Sequence, residues 1–179
     1  KGFIFTGFSE LIEAAQKNNE FSVPRDRIIF ATLPNKGEVM VNTTRILDLD
    51  SSSFDSVVAG EVEAHRQIKE LMKFFRKYAP GFEECYLAGI APQVGSRESR
   101  KTVGIKTLTM ESLTAESIPM DTIALAGYNI DIHVPGTKKL YLQPVEHAIG
   151  IPYGCLVSAD IEGLMMSGRC ISVSDDIYG

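Results

Sequence analysis

The sequence predicts an α+β fold with a mainly antiparallel or mixed sheet and one long helix. Residues 27–33 and 38–42 are rich in apolar and β-branched side chains and flank the segment 34–37, which is typical of a β-hairpin. Between residues 58 and 75, apolar side chains recur at helical spacing. From residue 122 onward, short apolar segments indicate further strands.

Composition limits the class of protein. The chain has 179 residues, 44% of them hydrophobic, and a net charge of −5, which is typical of one globular domain with or without a small appendage. No apolar run is long enough for a membrane span, and no dense Lys/Arg block favours nucleic acid as a partner. Cys85, Cys155 and Cys170 form neither a CxxC pair nor a zinc pattern, so we expect buried thiols, no metal site and a reducing, cytoplasmic compartment.

The first helix is predicted after a short apolar run at residues 3–5. One face of this helix carries three apolar residues: Leu11, Ile12 and Ala15. We expect Thr6 or Ser9 to be its N-cap and the two asparagines at residues 18–19 to end it. The hairpin of residues 27–42 follows, with a glycine available for a positive φ in its turn.

The long helix is predicted to follow the serines at residues 51–53, which are suitable N-caps. Its buried stripe is formed by Val58, Val62, Ile68, Leu71, Met72 and Phe75. Arg76 and Lys77 suit the negative end of the helix dipole, and the Pro-Gly pair at residues 80–81 ends the helix. We interpret Met72, Phe74 and Phe75 as core residues because an apolar stripe is how a helix buries one face.

Further strands are predicted in the second half of the chain. Residues 84–90 are interpreted as a strand, and Val103, Ile105 and Thr107 alternate with other residues at the period of a half-buried strand. Residues 108–113 predict a short helix with Thr109 or Ser112 as its N-cap. Strands are predicted at 122–128, at 130–133 and, once or twice, within 141–153, with a turn at 135–139.

A charged segment at residues 95–101 is the first candidate for a binding site. Arg97 and Arg100 supply planar, permanently charged groups that suit a carboxylate or a phosphate, and Glu98 and Ser99 between them are suited to hold their geometry. The predicted strand that follows would fix this segment on a rigid element. The alternative interpretation is an ordinary solvated surface.

A second candidate is the pair Asp131 and His133. Strict alternation places both residues on one face of a strand, where the carboxylate would orient the imidazole as a general acid or base near neutral pH. The alternative is a solvated strand end.

Several blocks of this sequence resemble one protein family. They are residues 41–45 (VNTTR), 60–67 (GEVEAHRQ), 80–83 (PGFE), 91–95 (APQVG), 97–100 (RESR), 108–109 (LT), 128–133 (YNIDIH), 151–153 (IPY) and 168–172 (GRCIS). Occurring in this order over residues 40 to 172, they resemble the FAD-dependent oxidoreductases of the glutathione-reductase-like superfold. The resemblance is far more specific than any single block.

The resemblance implies a division of the chain and a reaction. Residues 1–162 would be the substrate-binding (cap) domain of a flavoprotein, and residues 163–179 the returning segment of its FAD-binding domain. The implied reaction is hydride transfer between a small organic substrate and FAD. Such flavoproteins begin with a GxGxxG strand-turn-helix, which this sequence lacks, so we expect the FAD-binding domain to lie outside this chain as its partner. Because the chain begins with Lys1, we interpret it as a fragment that folds without retaining FAD and is inactive alone.

The resemblance also implies roles for individual residues. Arg97 and Arg100 would bind an anionic group of the substrate or the flavin, and His133 would carry a proton, oriented by Asp131. The residues expected on the cofactor side are Asn42, Arg45, Gly168, Arg169 and Ser172. Asn42 and Arg45 have an alternative interpretation as the polar end of a strand.

This chain departs from the family pattern at two places. Many relatives carry an acidic residue at the position of Arg169, so no ribityl-binding carboxylate is expected here. Residues 174–176 are Ser-Asp-Asp where the family often has Thr-His-Glu. A rival hypothesis from another class is a non-catalytic binding module that captures a carboxylate-bearing ligand with Arg97 and Arg100.

Overall fold

A computed structural model of the chain contains one long helix, shorter helices and small antiparallel sheets, which confirms the α+β class. The structure describes residues 2–97, 99–115, 117–133, 140–144 and 146–177, without the side chains of residues 130–133, 140–143 and 176. The chain forms two compact units. The first unit comprises Lys1–Leu49 and Ser53–Val94, and the second comprises Asp50–Ser52 and Gly95–Gly179. The predicted domain boundary at residue 162 stays a prediction.

A three-stranded antiparallel sheet forms one side of the first unit. Its strands are β1 (Ile4–Gly7), β2 (Ile28–Thr32) and β3 (Val39–Asn42), in the order β1-β2-β3. Phe30 lies opposite both Phe5 and Val41, so these three side chains share one face of the sheet. The predicted hairpin is therefore confirmed, and Gly37 in its turn has a φ of 85°.

Two helices complete the first unit. Helix α1 (Ser9–Lys17) ends at Asn18 as predicted, but its N-cap is Phe8, with a φ of 70° and no capping side chain. The prediction of Thr6 or Ser9 as the cap was wrong, because Ser9 is already the first helical residue. Helix α2 (Phe54–Tyr78) begins as predicted, with the Ser53 hydroxyl accepting a hydrogen bond from the Ser56 amide at 3.4 Å.

The core of the first unit is built on α2. Phe74 and Phe75 are almost fully buried, as predicted, and the Phe74 ring lies 5.0 Å from that of Phe21. The buried cluster comprises Ile12, Ala15, Phe21, Val23, Ile28, Leu71, Phe74, Phe75 and Ala79. Burial of these aromatic and aliphatic side chains is the main favourable contribution to folding of this unit.

A carboxylate ties the segment after α1 to the long helix. Glu70 accepts hydrogen bonds from the Ser22 amide, from the Ser22 hydroxyl at 2.8 Å, from the Val23 amide at 3.1 Å and from Arg66 at 2.7 Å. Burial works to raise the pKa of Glu70, but these hydrogen bonds outweigh it and hold the pKa below its usual value.

The second unit contains two strand pairs and a short helix. Helix α3 (Met110–Thr114) has the predicted Thr109 cap, which forms a capping box with Ser112. Strand β4 (Thr122–Ala126) pairs with β7 (Ile149–Pro152), and β5 (Ile130–His133) pairs with β6 (Leu140–Gln143), both antiparallel. The predicted strands in these regions are thus confirmed. The predicted turn at 135–139 lies outside the described residues.

Two predicted strands were wrong. Residues 84–90 form no strand, and Tyr86, Leu87 and Ile90 are exposed. The alternating segment at 103–107 makes only an isolated bridge, from Gly104 to Ser158. The physical reason is that the backbone amides of residues 102–108 donate to two different segments, 154–157 and 170–172, so no continuous ladder with one neighbour forms.

The core of the second unit is smaller and centres on a thiol. Leu108, Ile149 and Cys155 are buried, and Cys155 is fully inaccessible to solvent. Among the described residues, no helix has the length and apolar character required to cross a bilayer.

Candidate functional site

Two of the predicted site segments lie side by side in the second unit. The Thr102 amide, two residues after Arg100, donates a hydrogen bond to the Cys170 carbonyl at 2.9 Å. The Leu108 amide donates to the Ser172 carbonyl at 3.1 Å. The segment that follows the two arginines is therefore hydrogen-bonded at two points, Thr102 and Leu108, to the segment 168–172, where cofactor contacts were predicted.

Both arginines of the charged segment are exposed, on irregular backbone. Arg100 lies close enough to Asp50 to affect its pKa. The pKa of Asp50 is lowered first by the Ser52 hydroxyl, which donates to it at 2.7 Å, then by the Ser52 amide at 2.9 Å, and least by the charge of Arg100. An anion that approaches Arg100 therefore meets a cation with an acidic neighbour.

The segment 168–172 has an exposed end and a buried end. Gly168 has a φ of 67°, a conformation that favours glycine, and both Gly168 and Arg169 are exposed. Ser172 is only 2% exposed, and its hydroxyl lies 2.9 Å from that of Thr107. Its amide donates to the Cys155 carbonyl at 2.9 Å. Ser172 thus joins neighbouring segments, while Gly168 and Arg169 face outward; the cofactor role of Ser172 stays a prediction.

The remaining cofactor-side candidates, Asn42 and Arg45, lie in the first unit. Asn42 is the last residue of β3 and is exposed. It lies opposite Ile29, so it shares a face with Ile29 and not with the Phe30–Val41 pair. Arg45 is partly buried.

The main chain of Arg45 is clamped by a buried residue that the sequence analysis missed. Gln67, on α2, is 1% exposed; its Oε1 accepts from the Arg45 amide at 2.8 Å, and its Nε2 donates to the Arg45 carbonyl at 2.9 Å. Nε2 also donates to Glu63 Oε1 at 2.9 Å. The available signal was a polar residue spaced three and four positions from the buried Ala64 and Leu71.

The catalytic candidates Asp131 and His133 belong to β5, whose backbone places them opposite Leu142 and Leu140. The side chains of this strand pair lie outside the described residues. The catalytic roles of Asp131 and His133 therefore stay predictions.

The described residues that fit a flavin form only one edge of a site. The Gly168–Arg169 turn is exposed. Gly168 has no Cβ to cover its main-chain groups, and Arg169 supplies a cation, so the turn suits a polar, anionic ligand. The sequence has no GxGxxG turn for the pyrophosphate. In the part of the chain that the structure describes, no group of three or more His, Cys, Asp and Glu residues could hold a metal ion.

The chain was compared with known protein families, curated proteins and solved structures. A family model described as FAD dependent oxidoreductase matches residues 3–179. Neither the curated proteins nor the solved structures contain a match.

Proposed function

This chain belongs to the FAD dependent oxidoreductase family, and from that premise we propose that it is the substrate-binding portion of a flavoenzyme that transfers a hydride between a small organic substrate and FAD. The observation that carries the proposal is the family match over residues 3–179. Because the same 179 residues contain no GxGxxG turn, the dinucleotide-binding half is assigned to sequence outside them, with residues 163–179 as the returning segment. Family membership favours this hypothesis over a non-catalytic binding module.

Arg97 and Arg100 are the proposed anion-binding residues. Both are exposed, and a Cβ placed on the nearby Gly95 would meet no atom within 4 Å, so a ligand has room to approach this segment. Their guanidinium groups would bind a substrate carboxylate or a flavin phosphate through paired hydrogen bonds. The proposed substrate is therefore a small molecule, and neither nucleic acid nor a membrane is needed as a partner.

When bound, FAD supplies the hydride chemistry at its N5 atom, and the protein supplies position and charge. Gly168 and Arg169 would contact the ribityl and phosphate groups from one side. Ser172 holds their backbone in place through its bonds to Thr107 and Cys155. In the first unit, Gln67 fixes the main chain of Arg45, which lowers the backbone entropy lost when Arg45 binds a ligand.

A proton must also move when a substrate gives up a hydride. We assign its acceptance to His133, with Asp131 orienting the imidazole, because histidine titrates closest to neutral pH. The proton leaves the heteroatom of the substrate while the hydride leaves the adjacent carbon, so the two transfers together oxidise the substrate by two electrons.

The chain alone is expected to fold, to lose FAD and to be inactive. Folding is expected because each unit has a buried apolar cluster. Loss of FAD is expected because contacts along one edge of a cofactor site contribute little affinity, once the entropy lost on ordering the ligand is subtracted. A cytoplasmic location is part of the proposal.

The experiment compares this chain with the longer protein that contains it. The longer protein should purify with bound flavin, and this chain should purify without it and show no melting shift on addition of FAD. A yellow chain with one flavin per molecule would overturn the assignment of the dinucleotide-binding half. A longer protein that binds carboxylates but no flavin would support the binding-module alternative.

The anion-binding role is tested in the longer protein by Arg97→Lys, with Arg27→Lys as the matched control. Arg27 is also exposed, lies in the first unit and is paired with its neighbour Asp26. Arg97→Lys should lower kcat/KM by about 10- to 100-fold, which corresponds to the loss of a charge-assisted bidentate contact. Unchanged kinetics in Arg97→Lys would remove this residue from the site.

A further inference from the structure

An amphipathic groove of about 370 Å³ lies within the second unit, apart from the predicted site residues. Its walls come from segments far apart in the sequence: Ile105, Lys106, Asp121, Tyr153, Gly154, Val157, Gly163, Leu164 and Met165. Several apolar members are unusually accessible, since Ile105 is 64% exposed, Met165 48% and Tyr153 47%. A volume of this size lies within the range of small-molecule sites.

The groove is preformed, because main-chain hydrogen bonds join its walls. The Lys106 amide donates to the Gly154 carbonyl at 3.1 Å, and the Tyr153 amide donates to the Asp121 carbonyl at 2.8 Å. On the other side, Val157 and Met165 form an isolated antiparallel β-bridge, and the Tyr153 hydroxyl lies 3.5 Å from the Met165 Sδ. A ligand would thus meet a preformed surface, which lowers the entropic cost of binding.

Lys106 and Asp121 form an ion pair on one wall of the groove. Lys106 Nζ lies 2.6 Å from Asp121 Oδ1, and both side chains remain partly exposed. Gly154 allows this geometry, because a Cβ there would lie only 2.8 Å from Lys106 Cγ and would displace the lysine side chain. The pKa of Asp121 is lowered chiefly by the hydrogen bond from Lys106, so this carboxylate is ionised at neutral pH.

We infer that this groove binds a zwitterion with an apolar side chain, of the α-amino-acid class. The ligand carboxylate would bind Lys106, its ammonium group would bind Asp121, and its side chain would lie against Ile105, Val157 and Met165. Breaking the Lys106–Asp121 pair to bind the ligand costs little free energy, because an ion pair between partly exposed side chains is weakened by solvent. Both charges regain an opposite partner in the complex.

Charge complementarity selects this class over simpler ligands. A carboxylate without an ammonium group would gain Lys106 but would lie beside the Asp121 carboxylate, and an amine without a carboxylate would lie beside the Lys106 ammonium group. A purely apolar ligand would leave the ion pair intact but would cover part of it, at a cost in desolvation. Only the zwitterion satisfies both charges and the apolar wall.

This inference does not rest on the proposed function, because its test requires no flavin and no turnover. The isotopically labelled chain is titrated with L-phenylalanine and followed by amide chemical shifts in NMR. Phenylpropionate, which lacks the ammonium group, and phenethylamine, which lacks the carboxylate, are titrated in parallel. The expected result is saturable shifts at Gly154, Val157 and Leu164 with L-phenylalanine, and affinities about tenfold weaker or worse for each analogue.

The variants are Lys106→Met, which keeps the aliphatic part of the side chain, and Asp121→Asn, which removes the negative charge at nearly constant shape. The matched control is Lys77→Met, since Lys77 Nζ also lies 2.6 Å from a carboxylate, that of Glu20, but in the first unit. Each groove variant should weaken L-phenylalanine binding by about tenfold or more, and the control should leave it unchanged.

Three outcomes would overturn the inference. They are the absence of saturable shifts with L-phenylalanine, equal affinity for phenylpropionate or phenethylamine, and an equal loss of affinity in Lys77→Met. A groove variant that binds L-phenylalanine as tightly as the parent chain while remaining folded, judged from its amide spectrum, would also overturn it.

Discussion

Replacing Gln67 by Leu is expected to destabilise the first unit and to release the backbone at Arg45. Gln67 is 1% exposed and makes three side-chain hydrogen bonds, two to the Arg45 main chain and one to the Glu63 carboxylate. A net loss of about 1 kcal/mol for each neutral bond and somewhat more for the charge-assisted bond gives a destabilisation of about 3 kcal/mol. Leucine has a similar volume, so a cavity adds little.

Two measurements test this prediction. Urea denaturation, followed by a signal from the first unit, gives the change in the free energy of unfolding. Hydrogen exchange of the Arg45 amide, which donates to Gln67 in the parent chain, gives the local effect and should become faster in the variant than global unfolding alone explains. The matched control is Gln16→Leu, at a partly buried position of α1.

The reasoning would be refuted by a Gln67→Leu variant that unfolds at the same urea concentration as the parent chain and keeps its Arg45 amide protected. It would also be refuted if Gln16→Leu caused an equal loss of stability. Faster exchange at Arg45 in Gln67→Leu alone would identify the amide clamp as the structure that holds this part of the first unit.

Other predictions concern pH and close packing. Hydrogen bonds, chiefly from Arg66, lower the pKa of Glu63 to about 2, and the pKa of Glu70 is also lowered. The two carboxylates therefore contribute stability above the pKa of the unfolded state, and this stability is lost as pH falls from about 5 towards 2. Glu70→Gln should flatten this decline in melting temperature, and an unchanged pH profile would contradict it. Gly104→Ala should destabilise the second unit by about 1–3 kcal/mol, since the added Cβ would lie 2.7 Å from that of Ser172. Gly127→Ala, where no atom lies within 4 Å, is its control in urea denaturation, and equal stability of the two variants would contradict the packing argument.

The parts of the fold that local signals determine could be predicted from the sequence. The helical spacing on α2, its Ser53 cap and the hairpin turn with Gly37 all involve residues within a few positions of one another. The predicted stripe was wrong at Val58 and Val62, which are 45% and 67% exposed. The prediction of a strand at Val103 and Ile105 was wrong because its structure depends on distant parts of the chain. Its alternation is genuine, but these side chains are 67% and 64% exposed, and the backbone bonds that hold it come from segments about 50 to 70 residues away.

The sequence predicted the candidate site as a set of segments and not as a set of contacts, and the roles of its residues stay predictions. The sequence identified the neighbourhoods of Arg100 and Gly168, and the structure brings them together through the Thr102 amide. The Gln67 clamp was not identified because a single polar residue on a helical stripe does not reveal which main-chain groups it will meet 22 positions earlier in the chain. The pair of Lys106 and Asp121, 15 residues apart, was missed for the same reason.

The position of Cys155 at the centre of the second core provides a chemical reporter of motion. Burial raises the pKa of this thiol and shields it from solvent, so an alkylating reagent can reach it only when the core opens. Cys170 is exposed and should be labelled at once, and Cys85, which is of intermediate burial, should be labelled before Cys155. Mass spectrometry of timed alkylation would therefore record the opening of the second core at Cys155, with the two more accessible thiols as references in the same sample.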